Sequence, residues 1–116
     1  MEREAGYSRA VAQGDWCFVS GTTGFDYATM TLPSDVEAQT RNTLATIRET
    51  LAKAGFAMED VVRCQYTVTD RAFVDRVFPI LGNAFGDIRP AATMVIAGLI
   101  DERLLVEIEV TAFRGG

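Results

Sequence analysis

Val106-Glu107-Ile108-Glu109-Val110, close to the C-terminus, alternates aliphatic and acidic side chains without a break. A period of two predicts a β-strand that places Glu107 and Glu109 on one face and the three aliphatic residues on the other. The Cα atoms of the two glutamates then stand about 7 Å apart. If that face is shielded from water, each charge opposes the other's ionisation and desolvation raises both carboxyl pKa values, which suits either group to carrying a proton. Alternating charge more often marks a wetted face over a dry core, and spacing alone favours that reading.

Upstream of this strand, residues 92–97 read as another, with the Gly98–Arg103 segment as the turn between them and Asp101-Glu102 at the bend. Residues 61–69 also alternate, with Val62, Cys64, Tyr66 and Val68 forming a dry side against Arg63, Gln65, Thr67 and Thr69. Asp70 is placed to cap a helix whose stripe is Phe73, Val77, Leu81 and Phe85, ending at Gly86-Asp87. Pro79 lies inside that pattern and, lacking an amide hydrogen, is expected to kink or restart it.

Ser34 and Glu37 have the spacing of a capping box, and Val36, Thr40, Leu44, Ile47, Leu51 and Ala54 continue at intervals of three and four until Gly55. Residues 9–13 and 16–20 form a predicted hairpin around Gly14-Asp15, with Trp16, Phe18 and Ser20 opposite Cys17 and Val19. Gly21 to Pro33 lacks periodicity and reads as a loop.

The order is strands, helix, strand, helix, strands, an α+β pattern with a mixed sheet. Two helices cover only one face of such a sheet. The other carries Leu105 and Phe113 beside the glutamates, so an oligomer is expected.

The chain has 116 residues, 48% of them apolar, which fits one domain spanning residues 1–116. A net charge of -5 and a pI near 4.6, with no run of Lys or Arg, argue against nucleic acid or anionic lipid as partners. No apolar run is long enough to span a bilayer, and Met1-Glu2-Arg3-Glu4 opens no signal-like segment, so a cytoplasmic protein is expected. Cys17 and Cys64 have neither redox nor metal spacing and read as buried free thiols. There is no histidine, which removes Ser-His and Cys-His nucleophile pairs and the common zinc sites. Neither a metal nor a cofactor is expected.

Four blocks stand in order along the chain: Tyr7-Ser8-Arg9-Ala10-Val11, Val19-Ser20-Gly21, Arg89-Pro90-Ala91-Ala92-Thr93-Met94-Val95, and the closing Glu107-Ile108-Glu109. Together they resemble the RidA/YjgF family of imine and enamine deaminases, whose pattern is Tyr-x-x-Ala-Val, Ser-Gly, Pro-Ala-Arg-Ser/Thr and Glu-Ile-Glu. The resemblance implies a chorismate-mutase-like sheet with two helices on one face, closing as a homotrimer around a central β-barrel with small-molecule pockets at the subunit boundaries. One letter departs. Ala92 stands where the family places the arginine that holds a substrate carboxylate, and Val77, Phe78 and Pro79 occupy the region of the family's ligand-contacting asparagine.

The family's pocket implies Glu107 as the catalytic carboxylate that supports the attacking water. It also implies Tyr7, backbone groups of Gly21, and the Ala92 position as ligand contacts. Thr22 is expected to rim the pocket through its hydroxyl, and Arg89, three residues before Ala92, could supply a guanidinium from the same loop. Tyr7 reads equally as a ring packed at a subunit edge. Arginine grips a carboxylate with two charge-assisted bonds whereas alanine offers a methyl group, so standard 2-iminopropionate is an unfavourable substrate. The resulting expectation is hydrolytic deamination of a small enamine, imine or related intermediate without the usual clamp. The alternative is a trimer that binds a small metabolite without catalysis.

Overall fold

A computed structural model describes residues 8–115. Five strands form one sheet in the order β1-β2-β5-β3-β4: β1 Ala10–Gln13, β2 Trp16–Thr22, β3 Val61–Val68, β4 Ala91–Ile96 and β5 Val106–Phe113. All neighbours are antiparallel except β3 and β4. A parallel pair requires a crossover, and α2 (Val74–Phe85) supplies it. Helix α1 (Val36–Lys53) links β2 to β3 through a 3-10 turn at Met58–Asp60.

Both helices pack on the same face. Val36, Leu44, Ile47 and Leu51 of α1 and Val77, Leu81 and Phe85 of α2 share one core with Cys17, Val19, Cys64, Tyr66, Val68, Val106, Ile108, Val110 and Ala112 of the sheet. The alternation in β5 is therefore realised as read: its aliphatic residues are buried beneath the helices, Glu107 is partly buried and Glu109 exposed on the other side.

Four local expectations are corrected. The cap of α1 is Asp35, not Ser34: the Asp35 carboxylate accepts a 2.9 Å hydrogen bond from the Ala38 amide. A carboxylate one residue later reaches the third amide directly, and its charge suits the positive end of the helix. Val62 lies outside the dry face of β3, because the register against β5 shifts between Val61 and Arg63 and it is Val61 that is buried. Asp70 caps a separate 3-10 turn, Arg71–Phe73, and α2 begins after it. Pro79 neither ends nor restarts α2, which runs on through it to Phe85.

Gln39 was absent from the sequence pattern yet is fully buried on α1. Its side-chain amide donates to the carbonyls of Pro33 (2.8 Å) and Arg103 (3.0 Å), and its oxygen accepts from the Leu105 amide (2.9 Å). It thus ties the loop after β2 and the loop before β5 to one helix, satisfying three backbone groups that would otherwise be stranded.

Candidate functional site

The site is built where β2 meets β5. Val19 pairs with Val110 and Thr22 with Ile108, so Ser20 and Gly21 together oppose only Glu109. This is a β-bulge, and the extra residue reverses the alternation of β2 from that point on. Thr22 would otherwise share the face of Trp16 and Phe18. The bulge instead buries it, with its hydroxyl donating to the Ser20 carbonyl at 2.9 Å. Thr22, expected at an open rim, closes the bulge. The Ser20 hydroxyl donates to the Ser8 carbonyl at 2.5 Å, anchoring the incoming chain.

The carboxylate of Glu107 lies directly over Gly21. A Cβ on Gly21 would stand 2.6 Å from Glu107 Cδ and 2.8 Å from each carboxylate oxygen, closer than real contacts allow. The bare backbone of Gly21 permits this close approach, and a side chain there would oblige the flexible carboxylate end of Glu107 to swing aside. Burial, aided by the neighbouring Glu109 charge, pushes the Glu107 carboxyl above its ordinary value. A carboxyl raised in this way is better matched to proton transfer near neutral pH.

The remaining residues of this face were legible only through register. Thr67 opposes Glu107, Gln65 opposes Glu109 and Arg63 opposes Thr111. Thr93 and Val95 of β4 lie beside Gln65 and Thr67. Arg63 donates to the Cys64 carbonyl and, at 3.2 Å, to the Thr93 hydroxyl. Towards the far end, Trp16 packs on Phe113 with ring centroids 4.6 Å apart, and Phe18 and Val11 extend this apolar ridge. A shallow cleft of about 190 Å³ runs between Phe18, Arg63, Gln65, Glu109 and Thr111. A larger cleft, about 660 Å³, lies elsewhere, between the Phe25–Ala28 loop and α1, and Glu107 is not among its lining residues.

Ala92 is paired with Cys64, so it shares the helix-covered side of the sheet while Glu107 faces the opposite side. It is exposed because β4 is an edge strand. Arg89 is exposed at the end of α2, with a left-handed backbone (φ 54°) and its amide donating to the Phe85 carbonyl at 2.8 Å. A left-handed arginine before proline is a strained conformation that turns the chain sharply from α2 into β4. From Arg89 to Val95, the residue level with Glu107, is roughly 20 Å along an extended strand. A single chain therefore does not bring Arg89 or Ala92 to Glu107. Tyr7 lies outside the described residues.

Among the described residues no cluster of His, Cys, Asp or Glu could hold a metal ion, and no helix is long and apolar enough to cross a membrane. Cys17 and Cys64 are buried free thiols, both raised in pKa by burial.

The sequence profile described as endoribonuclease L-PSP matches residues 1–114. The chain belongs to that family. Among L-PSP-family relatives, the crystal structure of Rv2704 from Mycobacterium tuberculosis, described as a member of the YjgF/YER057c/UK114 family, is 42% identical with a TM-score of 0.87. That match covers 97% of this chain and 91% of that one. An uncharacterised protein of Streptomyces coelicolor, SCO2049, is 36% identical over 98% of this chain and 86% of its own length. RidA from an Antarctic Psychrobacter is 29% identical with a TM-score of 0.81, covering 93% of this chain and 88% of that one. These likenesses bear out the RidA/YjgF resemblance and the mixed α+β fold. Membership of this L-PSP family supports a Rid-like function in general.

Proposed function

We propose that this chain is a homotrimeric, cytoplasmic hydrolase of small imines, enamines or related carbonyl intermediates, acting at pockets formed between subunits. In the reaction, water adds to the imine carbon, the resulting carbinolamine expels its nitrogen as ammonia, and a carbonyl compound is left. Glu107 orients the water and takes its proton, then returns a proton to the departing nitrogen. Tyr7 helps close the pocket. A protein of net charge -5 is a poor match to a phosphate backbone, so we take a small molecule rather than RNA as the ligand.

The observation that carries this reading is the Glu107 carboxylate, partly buried over the bare backbone of Gly21 and raised in pKa. The placement of Ala92 and Glu107 on opposite sheet faces supports a pocket to which two copies contribute. Trp16, Phe18 and Val11 leave apolar surface on the helix-free face that a second copy would cover.

Ammonia release from freshly generated 2-iminopropionate and from imines without an α-carboxylate tests the reaction. Turnover above the buffer rate that disappears in Glu107→Gln supports it, and no turnover of either class overturns it. A monomeric mass by light scattering overturns the trimer.

Ala92 favours a second reading, a trimer that binds a metabolite without converting it. There Glu107→Gln would alter affinity or stability only.

A further inference from the structure

We infer that Thr67 is a positioning residue of the Glu107 site, its hydroxyl and the Glu107 carboxylate together holding one water molecule. This rests on the reading of Glu107 given above, and it assigns work to a residue that the sequence pattern placed only on the polar side of a strand.

Thr67 and Glu107 are direct cross-strand partners in the β3–β5 ladder, with side chains on the same, helix-free face. Such partners have Cβ atoms about 5 Å apart. Thr67 is only 9% exposed, yet its hydroxyl makes no hydrogen bond to any described residue, and neither does the Glu107 carboxylate. Other buried hydroxyls behave differently: Thr40 and Thr43 donate to the carbonyls one turn back, each at 2.7 Å, and Thr22 donates to Ser20. Thr67 is a β-strand residue, so the backbone groups that could absorb its hydroxyl are engaged in the ladder on both sides, with β4 and with β5.

Among the described residues no side-chain oxygen is both fully buried and unpartnered, so solvent reaches the Thr67 hydroxyl and water or ligand completes it. The cross-strand group facing it is the carboxylate of Glu107, partly buried and likewise without a hydrogen bond to any described residue. The pair has complementary chemistry: the hydroxyl can donate to the water oxygen or accept from it, and the carboxylate accepts a water proton. Two anchors fix the direction of a water lone pair, which one carboxylate with two equivalent oxygens does not.

The charged groups near Glu107 are few. Glu109 is on its own strand, Arg63 stands two residue pairs beyond it on β3, and Ser20 and Gly21 of β2 carry no charge. A hydrogen bond through Thr67 therefore has a readable effect on its titration.

The test is a carboxyl-carbon NMR titration of the full chain labelled at glutamate, with the Glu107 signal identified by its loss in Glu107→Gln. Thr67→Val, which keeps the shape and removes the hydroxyl, is expected to raise the Glu107 midpoint by about 0.4 to 1 pH unit, the equivalent of one hydrogen bond to the charged form. Thr67→Ser is expected to titrate like the wild type. Should Thr67→Val not fold, Thr67→Ala gives the same comparison. In turnover, removal of the hydroxyl is expected to lower kcat about 3- to 10-fold with little change in KM, and serine to restore it. Coincident wild-type and hydroxyl-free titrations overturn the assignment. A shifted titration in a protein that hydrolyses none of the imines upholds Thr67 and overturns the proposed reaction.

Discussion

Gly21 and Glu107 fit each other as a bare backbone and the acid folded onto it: a methyl group on Gly21 would stand 2.6 Å from the Glu107 carboxyl carbon. The acid owes its depth to the glycine, and the glycine owes its position to the bulge opposite Glu109. Gly21 does not adopt a left-handed conformation, so alanine is permitted by the backbone and excluded only by the carboxylate. Gly21→Ala should therefore displace Glu107 while leaving the fold intact. Expected are a loss of turnover approaching that of Glu107→Gln and a change in Tm of only a few degrees, about what a sub-kcal/mol perturbation gives. Retained turnover would disprove the dependence.

Glu107 also sets a pH dependence of stability. Its carboxyl is raised in the folded chain by burial and by Glu109, so between the ordinary carboxylate range and its own higher value the folded state binds more protons than the unfolded one. Stability from this group is complete below the unfolded pKa and is lost as pH rises through the folded value. Glu107→Gln should then have a higher Tm than wild type at pH 7 and an equal one near pH 4. Thermal melts across that range check the sign, which the opposite order would refute.

Restoring the family's arginine is expected to broaden the substrate range. Ala92 is exposed on an edge strand, so a longer side chain meets no packed neighbour within its own chain and projects toward the proposed pocket between copies. Ala92→Arg should leave Tm within about 2 °C of wild type, as exposed substitutions do. It should raise kcat/KM for 2-iminopropionate about tenfold or more, the effect of one charge-assisted hydrogen bond of about 1.5 kcal/mol or greater. Imines without a carboxylate should gain nothing. Equal gains for both classes would argue against a carboxylate subsite at this position.

Gln39 is predicted to be the most sensitive polar residue of the core. Gln39→Leu keeps much of the volume but strands the carbonyls of Pro33 and Arg103 and the amide of Leu105. A destabilisation of about 2 to 5 kcal/mol is expected in urea melts, with early loss of hydrogen-exchange protection at Leu105. Full protection of that amide in the variant would contradict the role.

The two candidate caps of α1 separate cleanly. Asp35→Ala should destabilise by roughly 0.5 to 2 kcal/mol, whereas Ser34→Ala should fall within about 0.5 kcal/mol of wild type. The reverse ranking in denaturant melts would restore Ser34 as the cap.

Much of this was legible in advance, for identifiable reasons. The alternation of β5 and of β2 up to Val19, and the spacing of three and four in α1 and α2, come from burying one face of a regular element, and that constraint acts residue by residue. The failures fall where regularity breaks. Val62 was misplaced because a register shift beside it flips the face of the strand, and Thr22 was read as loop because the Ser20-Gly21 bulge interrupts the alternation of β2, which runs on to Thr22. Neither leaves a mark in local composition. Asp35 was passed over because Ser34 and Glu37 match a two-residue pattern, while a single carboxylate at the adjacent position does the work alone.

By itself, the order of residues determined which segments become strands and helices, which side of each is apolar, and that an acid pair projects from the last strand, because these follow from side-chain periodicity along one chain. Tertiary structure alone decided that the Glu107 carboxylate rests on Gly21, that Thr67 faces it, and that Ala92 lies on the other side of the sheet. Those relationships depend on register between strands distant in sequence, and register is settled by the packing of the whole core.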